Sequence, residues 1–325
     1  MKIADMHCDT ILRLYDDETE KLRKNTGHVD LEKMAKADYL LQNFAVFIYM
    51  ADAENAFEKA MKVIDRYYLE LKENSDLIAP AYSFQDIVDN QANGKMSAVL
   101  TIEEGGTIRG SLAHLRNFYR LGVRMMTLTW NFENEIGSPN LRYTDDHTPL
   151  LHERNEKGLT EFGIQAVEEM EYLGMIPDVS HLSDGGFWDV AKHTKKPFVA
   201  SHSNAAAKCG VCRNLTDDMI RCLGERGGVA GLNFSADFLT DPGSSDPEKL
   251  FEAMAGHVAH MAQVGGIEVC GLGSDFDGIP TNPAIPDASY MPRLIDALQK
   301  KGFHESEIEK IFYKNVLRVY AEVLK

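Results

Sequence analysis

Six side chains of metal-ligand type fall at comparable places along this sequence. They are His7 and Asp9 in "IADMHCDT", Glu104 in "TIEEGG", His181 in "PDVSH", His202 in "VASHS" and Asp275 in "GLGSD". Each closes a short apolar run that reads as a β-strand. Residues two apart on an extended chain share a face, so His7 and Asp9 emerge together and Cys8 points the other way. A charge carried into an interior must be paired or bound to a metal. Histidine and carboxylate together suit zinc. Three histidines and three carboxylates exceed the needs of one tetrahedral site, and two metals bridged by one carboxylate fit the count better. Such a pair lowers the pKa of a shared water from about 15.7 towards about 7. That supplies hydroxide without a serine or cysteine nucleophile, and a remaining carboxylate can carry protons.

The elements that must position these groups alternate along the chain. The apolar runs are "IADMHCD", "NFAVFIY", "SAVLTIE", "VRMMTLTW", "MIPDVSH", "PFVASH", "GGVAGLNF" and "EVCGLGSD". Between them lie amphipathic stretches such as "AFEKAMKVIDRYYLELKE" and "GLTEFGIQAVEEMEYLG". Ser183 is placed to cap a helix over "DGGFWDVAKHT", and a last helix lies around "IEKIFYKNVLRVYAEVLK". Eight strands interleaved with helices predict a (β/α)8 barrel, in which the C-terminal strand ends converge on one mouth. An open doubly wound sheet would show an early glycine-rich phosphate loop, and GxGxxG is absent. No linker, repeat or low-complexity segment divides the chain, so residues 1–325 are expected to form one barrel domain. The long polar loop 131–157 is expected to lie over the mouth.

The bulk numbers exclude some classes. The chain has 325 residues with 34 basic against 50 acidic, a formal charge of -16, which argues against a nucleic-acid backbone binder. No apolar run approaches the roughly 18 residues of a membrane span. The start carries no signal-peptide pattern, and the five scattered cysteines suit a reducing cytoplasm. "CGVC", Cys209 to Cys212, lacks a second CxxC and reads as two free thiols.

With these residues in view, the chain resembles the membrane dipeptidase (renal dipeptidase) family of zinc peptidases, in a soluble microbial-type form. The likeness runs almost end to end through "HCDT", "HVDLEKM", "EEGGTIRGSLAHLRNFYRLGVRMMTLTW", "DVSH", "SHSNA", "CRNLTDD", "GLGSDFDG" and "NVLRVY". The resemblance implies a (β/α)8 barrel holding two Zn2+ per chain. His7 and Asp9 would hold one ion, His181 and His202 the other, with Glu104 as the bridge. Asp275 would contact the bridging water and shuttle the proton. Arg213 would bind the free carboxylate of a small dipeptide, a task its planar fork suits. Without the family, Arg213 reads as a surface ion pair with Asp217 or Asp218. The family also implies a homodimer, and substrates whose C-terminal residue is D or L.

Two positions depart from the family. A histidine that helps bind substrate in animal members is replaced by Trp130, which can donate but neither accept nor titrate. Asn131 beside it could supply the missing polar contact. Tyr313 stands where a glycine commonly precedes "NVLRV", a local packing change. The remaining candidates read as structural. His257 and His260 are packing or surface groups, Asp277 orders a loop, and His28 caps or anchors the helix begun by Asp30. Glu103 is expected to face the helical layer or the interface, so that Glu104 and not Glu103 reaches the metals. Another binuclear amidohydrolase, acting on a lactam, an N-acyl amino acid or a nucleobase, is the alternative. Many of those open with HxH and bridge their metals with a carboxylated lysine. Here the first run has HxD and "VRMMTLTW" has no lysine.

Overall fold

The computed structural model describes residues 1–325 apart from the side chains at positions 52 and 53. The strands are β1 (Ile3–Asp5), β2 (Tyr39–Phe47), β3 (Ile78–Pro80), β4 (Met96–Glu103), β5 (Val123–Thr127), β6 (Ile176–Asp178), β7 (Val199–Ala200), β8 (Val229–Leu232) and β9 (Cys270–Leu272). Every pairing is parallel. The order runs β2-β1-β9-β8-β7-β6-β5-β4, and β4 pairs back onto β2. Eight strands therefore close into the expected (β/α)8 barrel, and the eight apolar runs are β1, β2 and β4 to β9. The sequence did not foretell β3. It pairs with the start of β4, from Ile78 opposite Met96 to Pro80 opposite Ala98. The β5 pairing begins only at Leu100, so β3 extends that edge below the ring. Pro80 lacks the N–H that a fully paired strand needs.

Side-chain parity divides the barrel into layers. Val99 packs inside with Met6, Met125, Ile176 and Val229. Leu100 and Ile102 pack outside among helix residues such as Leu115 and Phe118. The helix Asn315–Val323 sends Val316, Val319 and Tyr320 into the inner cluster, and Tyr320 Oη donates to Asn43 Oδ1 at 2.9 Å. Just before it, Lys310–Lys314 forms a π-helical turn that contains Tyr313, a local unwinding of the 3.6-residue repeat.

The predicted helices stand. They are Ala56–Glu73, Glu161–Leu173 and Asp184–His193, the last capped by Ser183 Oγ, which accepts from Gly186 N at 3.2 Å. Residues 128–160 contain no helix or paired strand among the described residues. Among the described residues, no helix is long and apolar enough to cross a membrane.

Candidate active site

The strand ends deliver their polar groups to one buried cluster. His7 and Asp9 follow β1, and Cys8 Sγ turns away to donate to Asn43 O at 3.3 Å. Glu103, the last residue of β4, lies at the centre. Its Oε2 is 3.2 Å from His7 Nε2. Its Oε1 is 3.2 Å from His181 Nε2 and 3.5 Å from His202 Nε2. His7 Nε2 also lies 3.4 Å from Asp9 Oδ2 and 3.8 Å from Asp275 Oδ1. Two overlapping groups could each hold an ion: His7, Glu103 and His202, and His7, Asp9 and Asp275.

The sequence reading put Glu104 in this place, and the geometry corrects it. Strand parity decides: Val99 faces in, so Thr101 and Glu103 do too, while Ile102 faces the helices. At Glu104 the backbone leaves the strand with φ 93. Its carboxylate accepts from Gly106 N at 2.7 Å, from Trp130 N at 2.9 Å and from Asn134 Nδ2. Glu104 therefore pins the loop after β4 to the loop after β5, away from the histidines. Burial pushes its carboxyl up to about 7, against these N–H donors.

A second set of residues aims the first. Asn131 Oδ1 meets His181 Nδ1 at 2.9 Å, and Ser201 Oγ meets His202 Nδ1 at 2.7 Å. Ser201 Oγ in turn donates to Asp178 Oδ2 at 2.5 Å. Such partners fix ring orientation and leave Nε2 free for a ligand. Asn233, at the end of the β8 run, donates to Asp275 Oδ2 at 2.8 Å. Asp5 accepts from Ser274 Oγ at 2.6 Å, holding the β9 loop against β1. Asp178, Asn233 and Asp5 escaped the sequence reading; their position just inside the strand ends was the available signal.

The donor set fits bound metal. His7 Nε2 and Asp9 Oδ1 are buried without a hydrogen-bond partner. The Nε2 atoms of His181 and His202 approach to 3.0 Å. Burial lowers the His181 pKa to about 4 and that of His202 well below its usual value. Both rings therefore present lone pairs to the same point, where a cation resolves their repulsion. Burial also opposes charge on His7, yet the Glu103 and Asp9 carboxylates outweigh it and raise its pKa well above normal. Carboxylates that stabilise positive charge on the His7 ring this strongly are equally suited to a metal cation.

Above the cluster lies a cleft of about 180 Å³ whose lining includes Phe47, Trp130, Asn131, Arg213, Phe238 and Asp275. Arg213 is buried, and no carboxylate forms an ion pair with it among the described residues. Asp217 pairs with His260 and Asp218 with Arg221, so the surface-pair reading of Arg213 fails. Its Nη1 donates to Ser203 Oγ and its Nη2 to His202 O, both at 3.3 Å, and its guanidinium lies 5.3 Å from the Phe238 ring centre. Trp130 packs edge-on against Phe47 at 5.1 Å and Tyr49 at 5.8 Å, and lies 6.1 Å from His181.

The residues read as structural behave so. Asp277 accepts from Thr10 Oγ1 and His28 N, both at 2.6 Å, and its own N–H donates to His28 Nδ1 at 2.9 Å. Asp30, not His28, caps the helix Leu31–Lys36. All five cysteines are free. His257 is buried: its Nδ1 accepts from Ala205 N at 3.1 Å, and its Nε2 donates to Leu239 O at 3.0 Å. That pattern requires the neutral ring, and burial holds its pKa near 4. The unfolded chain binds this proton at a higher pH, around 6.5. Stability is therefore expected to fall as pH drops from about 6.5 to about 4, by up to about 3 kcal/mol from this residue. Denaturant titrations across that range check it: His257→Gln should flatten the decline, and an unchanged slope would assign the loss elsewhere.

A (β/α)8 barrel with histidine and carboxylate ligand atoms gathered at its C-terminal mouth has the form of a metal-dependent hydrolase. The sequence model of the membrane dipeptidase family, peptidase family M19, matches residues 1–325. The chain belongs to this family of metallo-dipeptidases, hydrolases that act on dipeptides. It is 34% identical over 313 residues to an uncharacterised dipeptidase of Schizosaccharomyces pombe, covering 91% of this chain and 72% of that one. It is 30% identical over 322 residues to dipeptidase tcpJ of Claviceps purpurea, covering 95% and 72%. Among solved structures, a metallopeptidase from Rhodobacter sphaeroides, liganded with a phosphinate mimic of the dipeptide L-Ala-D-Ala, superposes with a TM-score of 0.91. That match has 26% identity and covers 99% of both chains.

Proposed function

We propose that the chain is a binuclear zinc dipeptidase that cleaves small dipeptides, including those with a C-terminal D-residue. The observation that carries this reading is the division of the Glu103 carboxylate, one oxygen towards His7 and the other towards His181 and His202. His7 and Asp9 would hold one ion, His181 and His202 the other, and Glu103 both. When bound, the metal pair supplies a water-derived nucleophile at neutral pH and polarises the scissile carbonyl. Asp275, steadied by Asn233, holds or passes the proton at Oδ1. Arg213 takes the substrate's free carboxylate, with Phe238 beside it. Trp130 and Phe47 wall the cleft against water, and Asn131 orients His181. The mimic bound by the Rhodobacter sphaeroides relative supports acceptance of a D-residue. The free cysteines support a reducing compartment, the cytoplasm, and the family resemblance supports a homodimer.

Metal-depleted protein should be inactive on a dipeptide panel and recover as the second zinc equivalent is added. Full activity at one equivalent would contradict the binuclear reading. Breaking a charge-assisted contact costs about 1.5–3 kcal/mol, so Arg213→Met should lower kcat/KM about 10- to 150-fold. Arg213→Lys should recover part of this, because it keeps the charge and loses the fork. Amidating the substrate's C-terminus should harm the wild type far more than Arg213→Met. Equal harm to both would remove Arg213 from carboxylate recognition.

A further inference from the structure

Arg213 is only loosely tied through its own guanidinium: both bonds are 3.3 Å, and its Nε has no partner. Its aim must come from the backbone that carries it. That backbone is gripped on both sides by side chains from the loop after β5. Asn140 Nδ2 donates to Cys212 O at 2.9 Å, and Arg154 Nη1 donates to Asn214 O at 3.1 Å. Both grips converge on one buried carboxylate, Asp184. Asn140 Nδ2 donates to its Oδ1 at 2.6 Å. Arg154 engages it with two bonds, Nε to Oδ2 at 2.5 Å and Nη2 to Oδ1 at 2.8 Å. Asn155 closes the frame: its N–H donates to Asn140 Oδ1 at 2.7 Å, and its carbonyl accepts from Asp184 N at 2.8 Å. Asp184 is the first residue of the helix capped by Ser183, so the frame is anchored on a rigid element.

We infer that Arg154, Asn140 and Asp184 are positioning residues that pre-aim Arg213 at the substrate carboxylate. The inference rests on Arg213 as the carboxylate reader. Two-point recognition by a planar fork is sensitive to angle as well as distance, and a displacement of about 1 Å can cost on the order of 100-fold. A frame that fixes the peptide on either side of Arg213 keeps the fork in register before substrate arrives, which leaves less ordering to be done on binding. The rival reading is general support of the fold, because Asn140 N also donates to His181 O at 2.7 Å. The two readings differ in what they disturb.

The test uses alanyl-alanine and its C-terminal carboxamide with the zinc-loaded protein. Arg154→Gln should raise KM for the acid about tenfold, short of the roughly 100-fold of a full 1 Å displacement because Asn140 still holds the Cys212 carbonyl, and lower acid-over-amide discrimination by the same factor. Metal content and kcat should stay near the wild-type values. Arg154→Lys should fall between, and Arg154→Gln should change discrimination no further in an Arg213→Met background. If Arg154→Gln does not fold, Asn140→Ser carries the same expectations, since it releases the Cys212 carbonyl and spares the ion pair. Unchanged discrimination in the folded variants, or a loss of metal and kcat with KM constant, would overturn the inference. A different pattern marks failure of the underlying reading: Arg213→Met alone would then leave discrimination at the wild-type ratio, which removes both.

Discussion

Glu103→Gln is expected to lower kcat/KM for dipeptides about 150- to 5,000-fold, the equivalent of the roughly 3–5 kcal/mol lost when one partner of a buried charge cluster is removed. Among the described residues, Glu103 is the only carboxylate between His7 on one side and His181 with His202 on the other. An amide offers one weak oxygen and an NH2 group that faces ligand atoms. It can neither bridge two cations nor offset their charge. Metal content should fall with activity, while the barrel stays folded on its apolar inner and outer layers. Glu104→Gln is the control. Its new NH2 would confront the N–H donors of Gly106 or Trp130, so stability should drop by about 1–3 kcal/mol with metal content retained. Metal analysis, kinetics and denaturant melts on the two variants check this. Severe metal loss in Glu104→Gln beside a mild Glu103→Gln would restore the bridge to Glu104.

Asp275→Asn should keep its metal and lose turnover about 100- to 10,000-fold, the usual cost of removing a positioned proton carrier. The carboxyl sits where a shuttle is needed, its Oδ1 3.8 Å from His7 Nε2 and its Oδ2 fixed by Asn233. Burial favours its protonated form and a neighbouring cation its carboxylate form, so the group can both take and release a proton. Asparagine preserves the shape and the bond from Asn233 in altered polarity, but cannot titrate. Asp277 is no substitute, because Thr10 and the His28 loop hold its carboxylate. Metal content separates the roles. If the variant loses an ion together with activity, Asp275 is a ligand beside His7 and Asp9. A drop of only a few-fold would move proton transfer elsewhere.

Eight of the nine strands were legible because each is an apolar run, five of them closed by a histidine or a carboxylate, and parallel strands buried on both faces read as such runs. The strand β3 was hidden because three residues ending in proline give no period. The histidines were legible from their place after the runs. The error at Glu103 and Glu104 has a physical source: adjacent carboxylates differ by one residue, and one residue reverses the face. The apolar run does not mark where extended geometry ends, and the turn at Glu104 is set by bonds to Trp130 and Asn134, about 30 residues away in sequence. The same limit hid Asp178, Asn233 and the frame behind Arg213. Their roles exist only through partners brought together by barrel closure.

The central claim is that Glu103 bridges two metal ions. Anomalous-scattering maps at the zinc edge, from crystals of the zinc-loaded protein, test it most directly. Two peaks are expected on either side of the Glu103 carboxylate, one bounded by His7 and Asp9 and the other by His181 and His202. A single peak in fully loaded crystals, or a pair of peaks that leaves Glu103 without contact to one of them, would contradict it.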